Sequence, residues 1–336
     1  MRAALSATPW TTLVARAGLL LAVAALAAMP PLWGGYTLHL GLVTVTMALA
    51  AMSLGVLVGW GGLDSLGHAA FWGLGGYAAA LLSKHYGPWP WLVLPVAAGV
   101  AAGFAVATGI FTLRSRGIFF LMLTLAFAQL GFVVTFQWRD LTRGDDGLSG
   151  IPALAGFEDH RALYALATIF LAASYLLFSR LVRSPVGRVL DAARQNEARA
   201  RALGYPVFLY RLAVYALTGA ITGVAGALAA HERGFVHPRD FSLAVSATML
   251  IAVILVSQRR LWGPVLGISV LVAMESWLSA RTEFWNLFLG LLLVAIVLWG
   301  RGGIAGLAAQ AWQAVGRLQR LLPRGSDAGA ARRASL

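Results

Sequence analysis

The chain has 336 residues, is 59% hydrophobic and 12% charged, carries a formal net charge of +13 and contains no cysteine. A soluble domain typically holds about 25% charged residues, and here the charges are segregated between apolar runs of ~20 residues that match a bilayer core. This points to an all-α polytopic membrane protein and argues against a soluble helical core. The missing cysteines exclude a disulfide framework, a thiolate metal site and a cysteine nucleophile, and basic residues spread between spans argue against a nucleic-acid partner.

In chain order the sequence predicts about ten transmembrane helices. They run roughly over Leu13–Trp33, Thr37–Gly59, Leu63–Ser83, Trp89–Leu113, Gly117–Trp138, Arg161–Val182, Tyr210–Ala230, Ser242–Ser257, Leu261–Ala280 and Phe284–Gly300. The third span is the least lipid-like; its Gly and Ser content suits a helix buried among others, or a broken one. The opening residues Arg2 and Arg16, the run Leu19–Ala28 and the triplet Ala25-Leu26-Ala27 resemble a signal peptide. The long stretch before that run favours an uncleaved first span.

With the N-terminus inside, the inner segments hold 19 of the 26 basic residues and the outer segments hold eight of the acids. The positive-inside bias therefore predicts N-in and C-in. Gly55/Gly59, Gly99/Gly103, Gly219/Gly223 and Gly263/Gly267 are small-xxx-small pairs that let helix backbones approach closely. The membrane-spanning domain is expected over residues 1–303. Residues 304–322 read as an amphipathic helix lying on membrane lipid, and residues 323–336 as a disordered basic tail.

The segment from Ser184 to Pro206 stands apart. Pro185 opens a helix with Ser184 as its cap. Val189, Ala192, Ala193 and Asn196 share a face, Arg188, Arg194, Arg199 and Arg201 supply charge, and Asp191 and Glu197 partly balance it. Gly204 ends the helix, with Pro206 just beyond. The pattern predicts a short helix-turn-helix at the inner surface that either docks a partner or only fixes topology.

Several blocks then resemble one family, the permease subunits of branched-chain amino-acid ABC importers, and within it the M-type member of a two-permease pair. They are Ser184-Pro185-x-Gly187-Arg188, Ala193-Arg194-x-Asn196-Glu197, Ala202-Leu203-Gly204 and Ala225-Gly226-Ala227-Leu228 in the loop and next span. Ser65-Leu66-Gly67-His68-Ala69-Ala70-Phe71 with Gly75 and Tyr77, Thr124-Leu125-Ala126, Thr142-x-Gly144-x-Asp146-Gly147-Leu148 and Leu261-Trp262-Gly263-Pro264 fall in the same order. Arg301-Gly302-Gly303-Ile304 resembles the family's C-terminal end.

The resemblance implies a large, type II-like importer bundle. It makes about 183–209 an ATPase-coupling loop carried by Ser184, Pro185, Gly187, Arg188, Asp191, Arg194, Asn196, Glu197 and Gly204. It implies a translocation pathway near Ser65, Gly67, His68, Phe71, Tyr77 and Thr124, with Phe71 and Tyr77 placed there by resemblance only. Asp145, Asp146 and Gly147 form an outer loop that either only turns the chain or docks a binding protein. The implied partners are a second homologous permease of the H type, two ABC ATPase subunits and a periplasmic or lipid-anchored solute-binding protein. No cofactor is expected on this chain, which lacks a GxxxxGK[ST] loop; ATP and Mg belong to the ATPases. The implied solute is a branched-chain amino acid, with urea, amides and other amino or organic acids as alternatives.

Two departures stand out. Ser257-Gln258-Arg259-Arg260 replaces a Gly-rich turn, and Leu63-Asp64 replaces a Gln-Leu pair. His68 either lines the pathway or hydrogen-bonds a neighbouring helix, and Glu275 lies toward the outer end of its span. Two rival classes would need other residues. A rhomboid-like serine protease would use Gly147-Leu148-Ser149-Gly150 and Ala230-His231-x-x-Gly234, and an ion-driven transporter would need mid-span carboxylates, of which Glu275 is the sole candidate.

Overall fold

A computed structural model of the chain describes residues 34–256 and 258–282, together with 287, 290 and 291. In chain order its helices are α1 (Gly35–Val56), α2 (His68–Tyr86), α3 (Pro90–Thr112), α4 (Ile118–Gln137), the short α5 (Arg139–Thr142) and α6 (His160–Arg183). Then follow α7 (Pro185–Gln195), α8 (Glu197–Ala202), α9 (Val207–Arg233), α10 (Leu243–Val256) and α11 (Gly263–Ser279). The only strands among the described residues are a two-residue antiparallel pair, Leu148–Ser149 with Phe235–Val236. The all-α polytopic class is therefore correct. The expected first and tenth spans, Ser257, the surface helix at 304–322 and the tail at 323–336 lie outside the described residues.

Among the described residues, five helical stretches are long and apolar enough to cross a membrane: Gly35–Gly61, Pro90–Thr112, Ile118–Gln137, His160–Arg183 and Val207–Arg233. Helices α10 and α11 are apolar but shorter. The expected span Leu63–Ser83 is corrected at its start, because α1 runs on into a π-helical turn at Leu57–Gly61 and Gly62 then reverses the chain at φ +62°. Residues 63–67 follow without regular structure, and α2 begins only at His68. The expected span Tyr210–Ala230 is longer at both ends, so that Glu232 lies within α9.

Helix α9 occupies the centre and packs along α1, α2 and α3. Its small residues make this possible. A Cβ added at Gly226 would lie 2.0 Å from the Trp72 carbonyl oxygen, and one added at Gly75 would lie 2.1 Å from that of Gly223. On the other flank, Cβ atoms at Gly219 and Gly223 would collide with Ala105 and Ala101 of α3. Backbones held this close gain dispersion contacts that lipid cannot replace. The Gly55/Gly59 pair faces Pro264 and Gln258, and Gly267 faces the Ala252 carbonyl. Gly99 and Gly103 behave differently, with nothing within 4 Å among the described residues, so that expected pair is not a packing seam among them. Helix α4 also turns much of its surface outward, exposing Ile118, Phe119, Met122 and Leu130.

The bundle has two distinct ends. A basic end gathers Gly62, the α3–α4 turn, α7–α8 and the α10–α11 turn. A loop end gathers residues 138–159 and 234–242.

Candidate functional site

At the basic end the chain doubles back sharply after α6. Gly187 makes this possible, because a Cβ there would sit 2.3 Å from the Val182 carbonyl. Pro185 occupies the first turn of α7, as expected. Ser184 sits at the cap position in extended geometry, but its side chain does not cap forward; its Oγ donates back to the Leu181 carbonyl at 2.6 Å. Arg188 likewise reaches back, donating from Nη1 to the Arg183 carbonyl at 3.2 Å.

Asn196 is not on the buried face of one continuous helix. It breaks the helix with φ −158° and ψ 98°, and its Oδ1 accepts the Arg199 N–H at 2.9 Å, starting α8. The buried face is Gly187, Val189, Leu190, Ala193, Glu197 and Ala200, whereas Ala192 is exposed. Gly204, at φ +86°, closes α8 as expected, and its N–H donates to the Arg201 carbonyl at 2.9 Å.

Two carboxylates organise this end. Glu197, only 8% exposed, receives Arg211 at 2.8 Å from the foot of α9, Arg201 at 2.5 Å from α8 and Arg116 at 3.3 Å from the α3–α4 turn. Burial alone would raise its pKa, but Arg211 above all, with Arg116 and Arg201, outweighs that and holds it below the ordinary carboxylate value. Asp191 accepts Arg259 Nη2 at 2.5 Å and lies 3.6 Å from Arg194 Nε. The Arg194 stem in turn covers Gly62, where a Cβ would meet its Cγ at 2.5 Å.

In the middle of the bundle, four of the expected pathway residues converge at the start of α2. The irregular 63–67 stretch leaves backbone N–H groups that a membrane interior cannot hydrate, and side-chain oxygens take them. Ser65 Oγ accepts the Gly67 N–H at 3.1 Å, and Thr124 Oγ1 accepts that of Leu66 at 3.1 Å. Ser246 Oγ of α10 accepts the Ala69 N–H at 2.9 Å. His68 is fully buried and neither ring nitrogen has a hydrogen-bond partner among the described residues, so it does not tie down a neighbouring helix among them.

The His68 ring meets Phe71 edge-on at 5.3 Å, and Phe71 meets Tyr215 at 5.4 Å. The Tyr215 hydroxyl faces Thr108, Ser65 and Thr112. Tyr77 is not part of this group. It lies nine residues further along α2, roughly 13 Å at 1.5 Å per residue, beside Phe241 at 6.0 Å. There it lines an apolar cleft of about 440 Å³ with Leu74, Leu81, Val134 and Trp138.

The loop end is tied by backbone as much as by side chains. Asp145 and Asp146 form an exposed 3₁₀ turn, and Asp145 approaches His237 at 3.9 Å. Gly147, at φ +66°, brings the chain against the strand Phe235–Val236, where a Cβ would be 2.4 Å from the Val236 oxygen. Lys84 Nζ donates to the Ser149 carbonyl at 2.5 Å. Segment 234–242 dips into the bundle, and Phe241 fills the space over Gly73 and Gly131. The Arg233–Asp240 ion pair, at 2.9 Å, pins it.

Ser149 and His231 do not form a nucleophile–base pair. The His231 nitrogens engage the Pro152 carbonyl at 2.9 Å and Ser83 Oγ at 3.3 Å. Glu275 is exposed near the end of α11. The buried carboxylate that sequence reading missed is Glu232, paired with His39 Nδ1. It was missed because α9 continues past Ala230. Ser246, Tyr215 and Arg211 were also missed as functional candidates, and the only sequence signal was a polar residue inside an apolar run.

A sequence model of the branched-chain amino acid transport system permease component family matches residues 36–297. The high-affinity branched-chain amino acid transport system permease protein LivM of Escherichia coli (strain K12) is 30% identical over 295 residues, covering 80% of this chain and 69% of that protein. LivM of Salmonella typhimurium is 31% identical over 290 residues, covering 78% and 68%. A probable LivM of Methanocaldococcus jannaschii is 30% identical over 143 residues, 41% of each chain. No solved structure matches.

Proposed function

The chain belongs to the branched-chain amino acid transport permease family, and we propose that it is the membrane-spanning permease subunit of an ATP-driven importer. In this reading it passes branched-chain amino acids from a solute-binding protein into the cytoplasm. The observation that carries the reading is the ordered pair α7–α8, set between two long helices at the basic end and bonded to the feet of its neighbours. The positive-inside rule puts that end in the cytoplasm. Exposed Leu203, Tyr205, Arg199 and Arg201 there offer an apolar knob with a basic rim to an ATPase subunit.

No GxxxxGK[ST] loop occurs in the chain, so two separate ATPases supply the energy and hold ATP and Mg. Closure of the ATPase pair moves α7–α8 and switches access across the bilayer. The polar group around Ser65, Gly67, His68 and Thr124 takes part in the pathway with Phe71 and Tyr77, and a second, homologous permease supplies the remaining wall. Asp145, Asp146 and Gly147 meet the binding protein on the opposite face of the inner membrane.

Uptake of radiolabelled leucine tests the reading. Proteoliposomes would hold this chain, its partner permease and the ATPases, with binding protein and ATP supplied. Leucine accumulation that requires ATP is expected. Accumulation that needs no ATPase and collapses with the proton gradient would refute it in favour of an ion-driven carrier. ATPase stimulation only by binding protein loaded with another solute would keep the machine and replace the substrate.

A further inference from the structure

The turn between α10 and α11, where Gln258, Arg259 and Arg260 stand in place of a Gly-rich turn, is built against two other elements at once. Its backbone rests on the π-helical end of α1, since a Cβ at Gly59 would lie 1.9 Å from the Gln258 carbonyl oxygen. Its Arg259 guanidinium reaches α7 and donates from Nη2 to Asp191 Oδ1 at 2.5 Å. The same Asp191 is bridged by Gln195 Nε2 at 3.1 Å and approached by Arg194, whose stem covers Gly62. One contact region thus joins the coupling segment, the foot of α1 and the foot of α10.

Helix α10 leads from this region to the middle of the bundle. Ten residues separate Val256 from Ser246, about 15 Å of helix at 1.5 Å per residue. Ser246 Oγ accepts the Ala69 N–H at the first turn of α2, next to the unpartnered His68. The Asp191–Arg259 pair, helix α10 and the Ser246–Ala69 bond thus lie between α7 and the broken start of α2, the kind of packed connection that carries coupling between sites.

We propose that Arg259 is a positioning residue for transport: its ion pair with Asp191 makes α7 and α10 move together, so that displacement of the coupling segment shifts the start of α2. The proposal rests on the permease reading. The pair is not a stability element. Arg259 is 52% exposed and Asp191 29% exposed, and ion pairs this open contribute little to folding. Its value lies in fixing one element to another. Arg211–Glu197 does the same for α9 but is buried, so its loss disturbs the fold and does not separate the two roles.

The absence of cysteine makes the test clean. The double variant Asp191→Cys/Arg259→Cys would be reconstituted in the full complex. Leucine taken up per ATP hydrolysed would be compared before and after cross-linking with a short bis-maleimide. Before cross-linking, the ratio should fall about fivefold or more, the lower end of typical coupling energies, with the unfolding midpoint unchanged. Cross-linking should restore most of the ratio. An uncross-linked variant that couples like the unsubstituted protein would overturn the proposal. A cross-link that abolishes the uptake left in the uncross-linked variant would overturn it too, because the joint would then have to open. If the unsubstituted complex shows no ATP-dependent uptake of any solute, the permease reading falls and takes the joint with it.

Discussion

Replacing Gly226 by alanine tests the central helix packing most directly. A Cβ there would lie 2.0 Å from the Trp72 carbonyl oxygen, and carbon–oxygen contacts settle near 3.3 Å. The deficit of more than about 1 Å falls on backbone that no rotamer change can move. Helices α9 and α2 must part, and the neighbouring Gly223–Gly75 approach loosens with them. Overpacking of this kind costs about 1–3 kcal/mol, while alanine in place of a helical glycine returns up to about 1 kcal/mol. The net is a loss. Gly103→Ala is the control. Among the described residues nothing stands within 4 Å of its Cβ, so the propensity gain of up to about 1 kcal/mol remains. The two variants should shift the denaturation midpoint of the purified subunit in opposite directions. Shifts of equal sign and size would refute the account of α9 as the close-packed axis.

Arg211→Ala takes the buried partner from Glu197 but leaves it Arg201 and Arg116, so it should cost less than the about 3–5 kcal/mol of a buried charge left alone and more than Arg201→Ala, at a residue 59% exposed, which should cost under about 1 kcal/mol; chemical denaturation of both variants measures the contrast. Because Glu197 has its pKa lowered in the folded state, its contribution is present above the unfolded carboxylate value, about 4.3. It is lost as pH falls through the lower folded value. Glu197→Gln should therefore remove part of the acid-side slope of stability, and an unchanged slope would count against the ion-pair cluster. Ser149→Ala should leave transport intact, since His231 is already bonded to Pro152 and Ser83; loss of activity with retained assembly would revive acyl-transfer chemistry.

Helix positions were legible wherever apolar runs met turn residues. Pro90, Pro185 and Gly204 mark boundaries through fixed φ, a missing donor or positive φ, and the structure agrees within a few residues. The start of α2 was not legible in detail. The apolar run Leu63–Ser83 continues through the break, and what interrupts it is Gly62 together with the hydroxyls of Thr124 and Ser246, far away in sequence. The charge pattern identified α7–α8 as a structured basic segment but assigned the wrong face at Asn196. An Asn inside an amphipathic pattern looks like one more face position until its side chain turns back to cap α8. Partner choice was equally hidden: Glu197 was read as partial charge balance, yet its strongest partner, Arg211, lies in the next helix and is itself buried.

His68 brings these strands together. Around it the backbone N–H groups of Leu66, Gly67 and Ala69 have found oxygens, from Thr124, Ser65 and Ser246, because a dry interior penalises unmet polar groups. The imidazole has not: it is fully buried against Phe71 with both nitrogens unpartnered. A polar group stranded in this way costs about 1–3 kcal/mol. If the position served packing alone, an apolar residue would serve it better. His68→Leu should therefore leave the denaturation midpoint equal or higher while lowering leucine uptake in the reconstituted complex by at least about tenfold, the equivalent of one lost hydrogen bond to a solute or to a moving neighbour. Stability lost along with uptake would mean that the ring is a packing element. Uptake preserved at full rate would place the pathway elsewhere, with the cleft beside Tyr77 the next place to probe.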